Sequence, residues 1–168
     1  MVGPRRHVLR WTVLGVLVVL AAVADDRHVG LIADGRQMIR TAVALAETGE
    51  IGQAAGRDFT YERGEDAVSR FGMATSLLQV PAAYLAPVIE RRAGAGASQA
   101  LFLLVPWLAI GVAGAAAGLI TRRLGGGDLQ VGAAVLLATI AAPLGSYAAL
   151  EFSEPVQAAA LTVALAWA

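Results

Sequence analysis

The sequence predicts an all-α fold, a polytopic bundle of transmembrane helices with juxtamembrane helices in a long first external loop. Two observations lead to this prediction. Hydrophobic residues make up 57% of the 168 residues and charged residues only 15%, whereas ordinary soluble domains carry about 25% charged residues. The charges also cluster between long apolar runs. Both features are typical of an integral membrane protein with polar loops between its helices.

The charge balance and the absence of cysteine exclude several classes of function. The 13 basic residues are all arginine, and 13 acidic residues balance them to a net charge of zero. The chain therefore has no electrostatic footprint for nucleic acid. Because there is no cysteine, disulfides, thiolate metal sites and cysteine nucleophiles are also excluded.

The first apolar run predicts a transmembrane helix over residues 8–24. Arg5, Arg6 and Arg10 stand at its start, so the positive-inside rule puts the N-terminus in the cytoplasm. The same pattern also fits a cleavable signal peptide, because the apolar run is short and ends in Ala22-Val23-Ala24. In either case the chain from Asp25 onward lies outside.

The predicted external loop covers residues 25–97. Within it, Asp34 precedes apolar residues at helical spacing that end at Gly49, which predicts an amphipathic helix from Gly35 to Thr48 with Asp34 as its N-cap. The stretch from Gly52 to Arg70 shows little periodicity and is predicted to be irregular.

The apolar stretch from Phe71 to Ile89 closes the loop. It contains Pro81 and Pro87, and each proline removes a backbone donor, so a broken interfacial or re-entrant segment is expected. A crossing helix stays open as an alternative, because counting arginines gives five on the cytoplasmic side in both topologies.

Residues 100–120 and 131–150 predict the second and third transmembrane helices. The short turn between them carries Arg122 and Arg123, as a cytoplasmic loop does. A fourth apolar run covers residues 156–168, which is shorter than the roughly 20 residues that cross a bilayer. We therefore expect the sequence to be the N-terminal part of one longer membrane domain.

Three acidic residues are candidates for chemistry. Asp34 is explained as a helix N-cap, and the same carboxylate can also serve as a general base. Glu151 and Glu154 border the third predicted span, where ionisable groups tend to face a cavity or water. An ordinary solvated loop explains that pair equally well. Whether a divalent metal takes part stays undecided.

The order of these features resembles the N-terminal part of the GT-C type membrane glycosyltransferases, in the group of protein O-mannosyltransferase-like and aminoarabinose-transferase-like bacterial proteins. Four pieces carry the resemblance: Ala33-Asp34-Gly35, the stretch from Arg70 to Pro81, the turn Arg122-Arg123-Leu124-Gly125, and the stretch from Tyr147 to Pro155. Together they extend over roughly residues 30–165.

The resemblance implies a polytopic helical enzyme of a bacterial plasma membrane, acting at the extracytoplasmic face. Its partners would be membrane lipid and a polyprenyl-phosphate-linked sugar, from which it moves the sugar to an acceptor. Asp34 would be the catalytic base, and Glu154, with Glu151 second, would help to shape the site. The resemblance also favours keeping residues 71–89 from crossing. Many members have two adjacent acids where this chain has Asp34 followed by Gly35.

Two other functions remain open. A non-catalytic polytopic protein, either a transport component or a scaffold, would use the loop as a binding surface. The complete predicted spans carry no ionisable residue between Trp11 and Ala24, 100 and 120, or 131 and 150, which disfavours an ion or proton pathway. The chain could also be a remnant without activity of its own.

Overall fold

The structure, a computed structural model, describes residues 4–24, 33–54, 60–63, 66–69, 73–141 and 154–168. These residues form six α-helices, a π-helical segment and three strands. The elements in chain order are α1 (Pro4–Ala24), α2 (Ala33–Thr48), β1 (Gly52–Ala54), β2 (Thr60–Arg63), β3 (Asp66–Ser69), α3 (Met73–Ala93), α4 (Ala95–Arg123), α5 (Asp128–Leu136), the π-helical segment (Leu137–Ala141) and α6 (Glu154–Trp167). The predicted helical class is confirmed, and a small sheet is added to it.

The chain divides into two compact units. The bundle unit consists of Met1–Val29, Pro106–Ala149 and Glu154–Ala168, and the loop unit consists of Gly30–Val105 and Leu150–Ser153. The loop unit therefore contains α2, α3, the sheet and the first turns of α4.

One helix is suited to a membrane. Among the described residues, only the stretch Ala97–Arg123 is both long and apolar enough to cross a bilayer. Val8–Val18 and Asp128–Ile140 are shorter apolar helical stretches. Length and composition thus support membrane association, whereas the number of spans stays a prediction.

Glycines on α4 allow close helix packing inside the bundle unit. A Cβ atom at Gly114 would lie 2.5 Å from Thr139 Cγ2, and one at Gly118 would lie 2.8 Å from Val135 Cγ2. Gly114 and Gly118, two small residues four positions apart, therefore lie against neighbouring helical residues, and such pairs allow helices to approach closely in lipid. The buried Thr139 hydroxyl donates to the Val135 carbonyl at 2.9 Å, so this polar group is satisfied within its own helix.

The turn from α4 to α5 is short, as the sequence predicts. Gly125 has φ +85°, a backbone conformation that glycine adopts without strain, and the Gly126 amide donates to the Thr121 carbonyl at 2.9 Å. Across the turn, Arg122 pairs with Asp128 at 3.0 Å. Both side chains are partly exposed, so this ion pair contributes little stability.

The prediction of an irregular segment from Gly52 to Arg70 is wrong. The described part of this segment forms an antiparallel sheet in the order β1-β3-β2, with Tyr61 opposite Val68. Strands of three or four residues are too short to show a period-two pattern. Their β-branched and aromatic residues, such as Thr60 and Tyr61, were the available signal.

The prediction of a broken segment between Phe71 and Ile89 is also wrong. Residues from Met73 onward form one helix of 21 residues, and Pro81 and Pro87 lie inside it. A proline removes one helical hydrogen bond, but packing along the helix can offset that loss. Here Ala83, between the two prolines, is buried in an apolar cluster.

Candidate functional site

Asp34 stands in the first turn of α2. The helix begins at Ala33, one residue before Asp34, so the prediction that Asp34 is the N-cap of a helix starting at Gly35 is wrong by two positions. The predicted end is confirmed, because the helix stops at Thr48 and Gly49 follows with φ +75°. The structure describes the backbone of Asp34 and not its side chain.

The buried face of α2 begins at Gly35, directly after Asp34. Gln37, Met38, Thr41 and Ala42 are each at most 1% exposed, and their spacing places them on one side of the helix. Two of these four residues are polar. The Thr41 hydroxyl donates to the Gln37 carbonyl at 3.1 Å.

The buried face of α3 is even more polar. Thr75, Ser76, Gln79 and Ala83 are buried, and they too recur at helical spacing. The helices α2 and α3 pack against each other, and Ala42, Ala83 and Phe102 form a buried cluster with one residue from each of α2, α3 and α4. We call the five buried polar residues of α2 and α3 the polar seam: Gln37, Thr41, Thr75, Ser76 and Gln79.

Gln79 ties the polar seam to α4. Its Nε2 donates to the carbonyl of Phe102 at 3.4 Å. In an unbroken helix that carbonyl would accept from the amide of residue 106, but residue 106 is a proline inside α4 and has no N–H. The glutamine side chain therefore supplies the donor that Pro106 lacks.

Gln79→Met is expected to lower the free energy of unfolding by about 1–2 kcal/mol, because it leaves the buried Phe102 carbonyl without a donor. Methionine keeps the side-chain volume nearly constant. The free energy is measured by denaturant titration of the purified protein in micelles.

A second substitution isolates the cause of this loss. Pro106→Ala restores a helical N–H to the Phe102 carbonyl, so Gln79→Met should cost less in that background, with a coupling of at least about 0.5 kcal/mol. An equal cost in both backgrounds would show that the glutamine does not act through this carbonyl.

Two atoms of the polar seam are buried without a hydrogen-bond partner, namely Thr75 Oγ1 and Gln79 Oε1. A hydroxyl can donate and accept, and an amide oxygen can accept. Buried polar atoms of this kind ordinarily have a partner, often an ordered water.

The other two predicted site residues, Glu151 and Glu154, lie far from Asp34 in the sequence. Glu154 is the first residue of α6 in the bundle unit and is exposed. Glu151 lies outside the described residues. Nothing in the described part of the chain tests the predicted meeting of these acids with Asp34. In the same described part, no group of three or more histidine or acidic residues could hold a metal ion.

The polar seam is the feature that sequence reasoning missed. Thr75, Ser76 and Gln79 are polar residues in an apolar run, where the two prolines led to the prediction of a broken segment. Their spacing of one and three residues, on one helical face, was the signal that they face a neighbouring helix.

The described residues are mainly helical, and one stretch of them is long and apolar enough to cross a membrane. No protein-family model, curated protein or solved structure matches this chain.

Proposed function

We propose that the protein is a membrane glycosyltransferase that moves a sugar from a polyprenyl-phosphate donor to an acceptor at the extracytoplasmic face. One observation carries the proposal most directly. The helix that begins at Ala33-Asp34 packs on α3, and both share the apolar cluster of Ala42, Ala83 and Phe102 with α4. Phe102 belongs to the membrane-capable stretch Ala97–Arg123, so α2 is tied to a helix suited to the membrane.

This packing suits a catalytic base for a lipid-linked substrate. Catalysis depends on holding the base and the reacting atoms in a fixed geometry, and a loose external loop would not provide it. The polar seam is buried on the sides of α2 and α3 through which the two helices pack, and buried polar groups favour an arrangement in which they find partners.

In the proposed reaction the acceptor hydroxyl attacks the anomeric carbon of the sugar. The new bond joins the acceptor oxygen to that carbon, the bond from the carbon to the phosphate oxygen breaks, and the polyprenyl phosphate leaves with the bonding electrons. The acceptor proton goes to the carboxylate of Asp34. Glu154, and second to it Glu151, would help to shape the site.

Arginines on α2 offer a contact for the donor phosphate. Arg36 and Arg40 are exposed and four residues apart, which places them on one face of the helix. A guanidinium group can donate two parallel hydrogen bonds to the oxygens of one phosphate. Salt pairing with acids of the loop is the competing use of the same two side chains.

Removal of the gene from its host tests the proposal without knowledge of the sugar. We expect a polyprenyl-phosphate-linked hexose or pentose to accumulate several-fold in membrane lipid extracts, because its consumer is missing. Mass spectrometry of the extracts measures this, and restoring the wild-type gene should return the lipid to its original level. An unchanged profile of prenyl-phosphate sugars would favour the non-catalytic alternative, a transport component or scaffold.

A further inference from the structure

The helix α3 has its polarity inverted relative to a helix on a water-exposed surface. Leu78 is 55% exposed and Leu85 is 53% exposed, while the buried side carries Thr75, Ser76 and Gln79. A helix that borders water does the opposite and turns its apolar stripe inward. The exposed large apolar residues of α3 are Leu77, Leu78, Tyr84, Leu85 and Val88, and we call them the outer face of α3.

The outer face forms one continuous band. At 100° per residue, its members fall within an arc of about 120°, and the buried residues lie on the opposite side. No charged residue occurs from Met73 to Ile89. Scattered exposed apolar residues need no explanation, whereas a continuous band marks a surface that something apolar covers.

The connection from α3 to α4 keeps α3 close to the membrane. A single residue, Gly94 with φ +86°, separates the end of α3 at Ala93 from the start of α4 at Ala95. The membrane-capable stretch begins at Ala97, and four residues of chain span at most about 14 Å. The C-terminal end of α3 must therefore lie near the beginning of that stretch.

Residues in the middle of α3 also contact the membrane-capable stretch. Ala83 shares a buried cluster with Phe102, and Gln79 donates to the Phe102 carbonyl. Phe102 lies five residues inside the membrane-capable stretch, which starts at Ala97. The middle of α3 therefore contacts α4 at Phe102, within the membrane-capable stretch.

We infer that the acyl chains of the bilayer cover the outer face of α3. The helix is embedded in the membrane beside α4, with its polar side closed by α2. The end of α3 suits this placement, because Arg91 and Arg92 are exposed there and cations at the end of an apolar segment reach the phosphates of lipid headgroups. Arg91 also donates from Nε to the Pro87 carbonyl at 3.1 Å.

Spin labelling tests this inference directly, because the chain has no cysteine and single cysteines can be introduced without background. Leu78→Cys and Leu85→Cys probe the outer face. Glu50→Cys, at an exposed position just after α2, is the water reference, and Leu104→Cys, at an exposed position in the membrane-capable stretch, is the lipid reference. Each full-length variant carries a nitroxide and is reconstituted in phosphatidylcholine and phosphatidylglycerol vesicles.

The measurement is the collision rate of each nitroxide with oxygen, which concentrates in acyl chains, and with a water-soluble nickel chelate. We expect the ratio of oxygen to nickel collisions at positions 78 and 85 to exceed that at position 50 several-fold and to match that at position 104. A high collision rate with the nickel chelate at positions 78 and 85 would overturn the inference, because it would show that water covers the outer face. Low rates with both reagents would overturn it in favour of a protein partner, such as a second copy of the chain.

Folding of the labelled variants is checked by circular dichroism against the unsubstituted protein. Both positions are more than half exposed, so cysteine removes little buried contact. Leu77→Cys and Tyr84→Cys lie on the same face and repeat the measurement if either first variant does not fold.

Discussion

Replacing Asp34 with asparagine is expected to reduce sugar transfer by about 100-fold to 10,000-fold, the usual contribution of a general base. Asparagine keeps the size of the side chain and removes its ability to accept a proton. The assay uses membranes of the host and the polyprenyl-phosphate sugar that accumulates when the gene is absent. The amount of protein in the membrane should stay unchanged.

A control substitution on the same helix shows whether the loss of transfer comes from Asp34 itself or from the loss of one negative charge on α2. Glu47 is exposed in the last turn of α2, and Glu47→Gln makes the same change of charge away from Asp34. We expect near-normal transfer from this control. If Asp34→Asn also transfers at the normal rate, Asp34 is not the base, even if the lipid donor still accumulates when the gene is removed.

A purely structural role of Asp34 has a different signature. An acid in the first turn of a helix stabilises it by about 0.3–1 kcal/mol through the helix dipole. Asp34→Asn should therefore lower the free energy of unfolding by no more than this amount, too little to explain a large loss of transfer. Thermal unfolding of the purified variant in micelles measures it.

The sequence predicted α2 and the α4 to α5 turn well because each carries strong local signals. Apolar residues at helical spacing and the terminal Gly49 mark α2 and its end. Gly125 and Gly126 mark the turn. These signals act within a few residues, so no knowledge of distant contacts was needed.

The strands and the continuity of α3 could not be predicted in the same way. Both depend on partners that are distant in the sequence. The strand Thr60–Arg63 pairs with β3. The helix α3 packs on α2 and continues past Pro81 and Pro87 without a break. A proline inside a helix costs about 3 kcal/mol or more, and the packing of α3 on α2 offsets this cost.

The polar seam shows why the proposed site could be recognised only in part. A sequence can mark Asp34 as the start of a helix, but it does not reveal which face of α3 is buried. Polar residues in an apolar run suggest a poor span when the surroundings are taken to be lipid on all sides. They suggest a packed interface once α2 covers one side.

Gly132 lies at a close helix contact in the bundle unit. A Cβ atom built there would lie 2.5 Å from Cε2 of Trp11 and 2.9 Å from two further atoms of the same indole. Real Cβ atoms do not approach other atoms so closely, and the rigid indole cannot bend aside as a flexible side chain does. The contact joins α1 to α5, so any larger side chain at Gly132 must push these helices apart.

Gly132→Leu is therefore expected to lower the free energy of unfolding by about 2–3 kcal/mol, near the upper end of the usual cost of overpacking. Leucine gains up to about 1 kcal/mol in helix propensity over glycine, and the steric cost exceeds this gain. The matched control is Ala133→Leu, at the exposed neighbouring residue of the same helix, which should change stability by less than about 0.5 kcal/mol. Denaturant titration in micelles measures both variants.

A double substitution identifies Trp11 as the obstacle. Trp11→Ala removes the indole, so Gly132→Leu should cost at least about 1 kcal/mol less in that background, a coupling within the range for residues in contact. Equal costs in the two backgrounds would mean that the leucine meets some other group. A stable Gly132→Leu protein would mean that α1 and α5 do not pack through this glycine at all, because no rotamer of leucine avoids a clash that begins at Cβ.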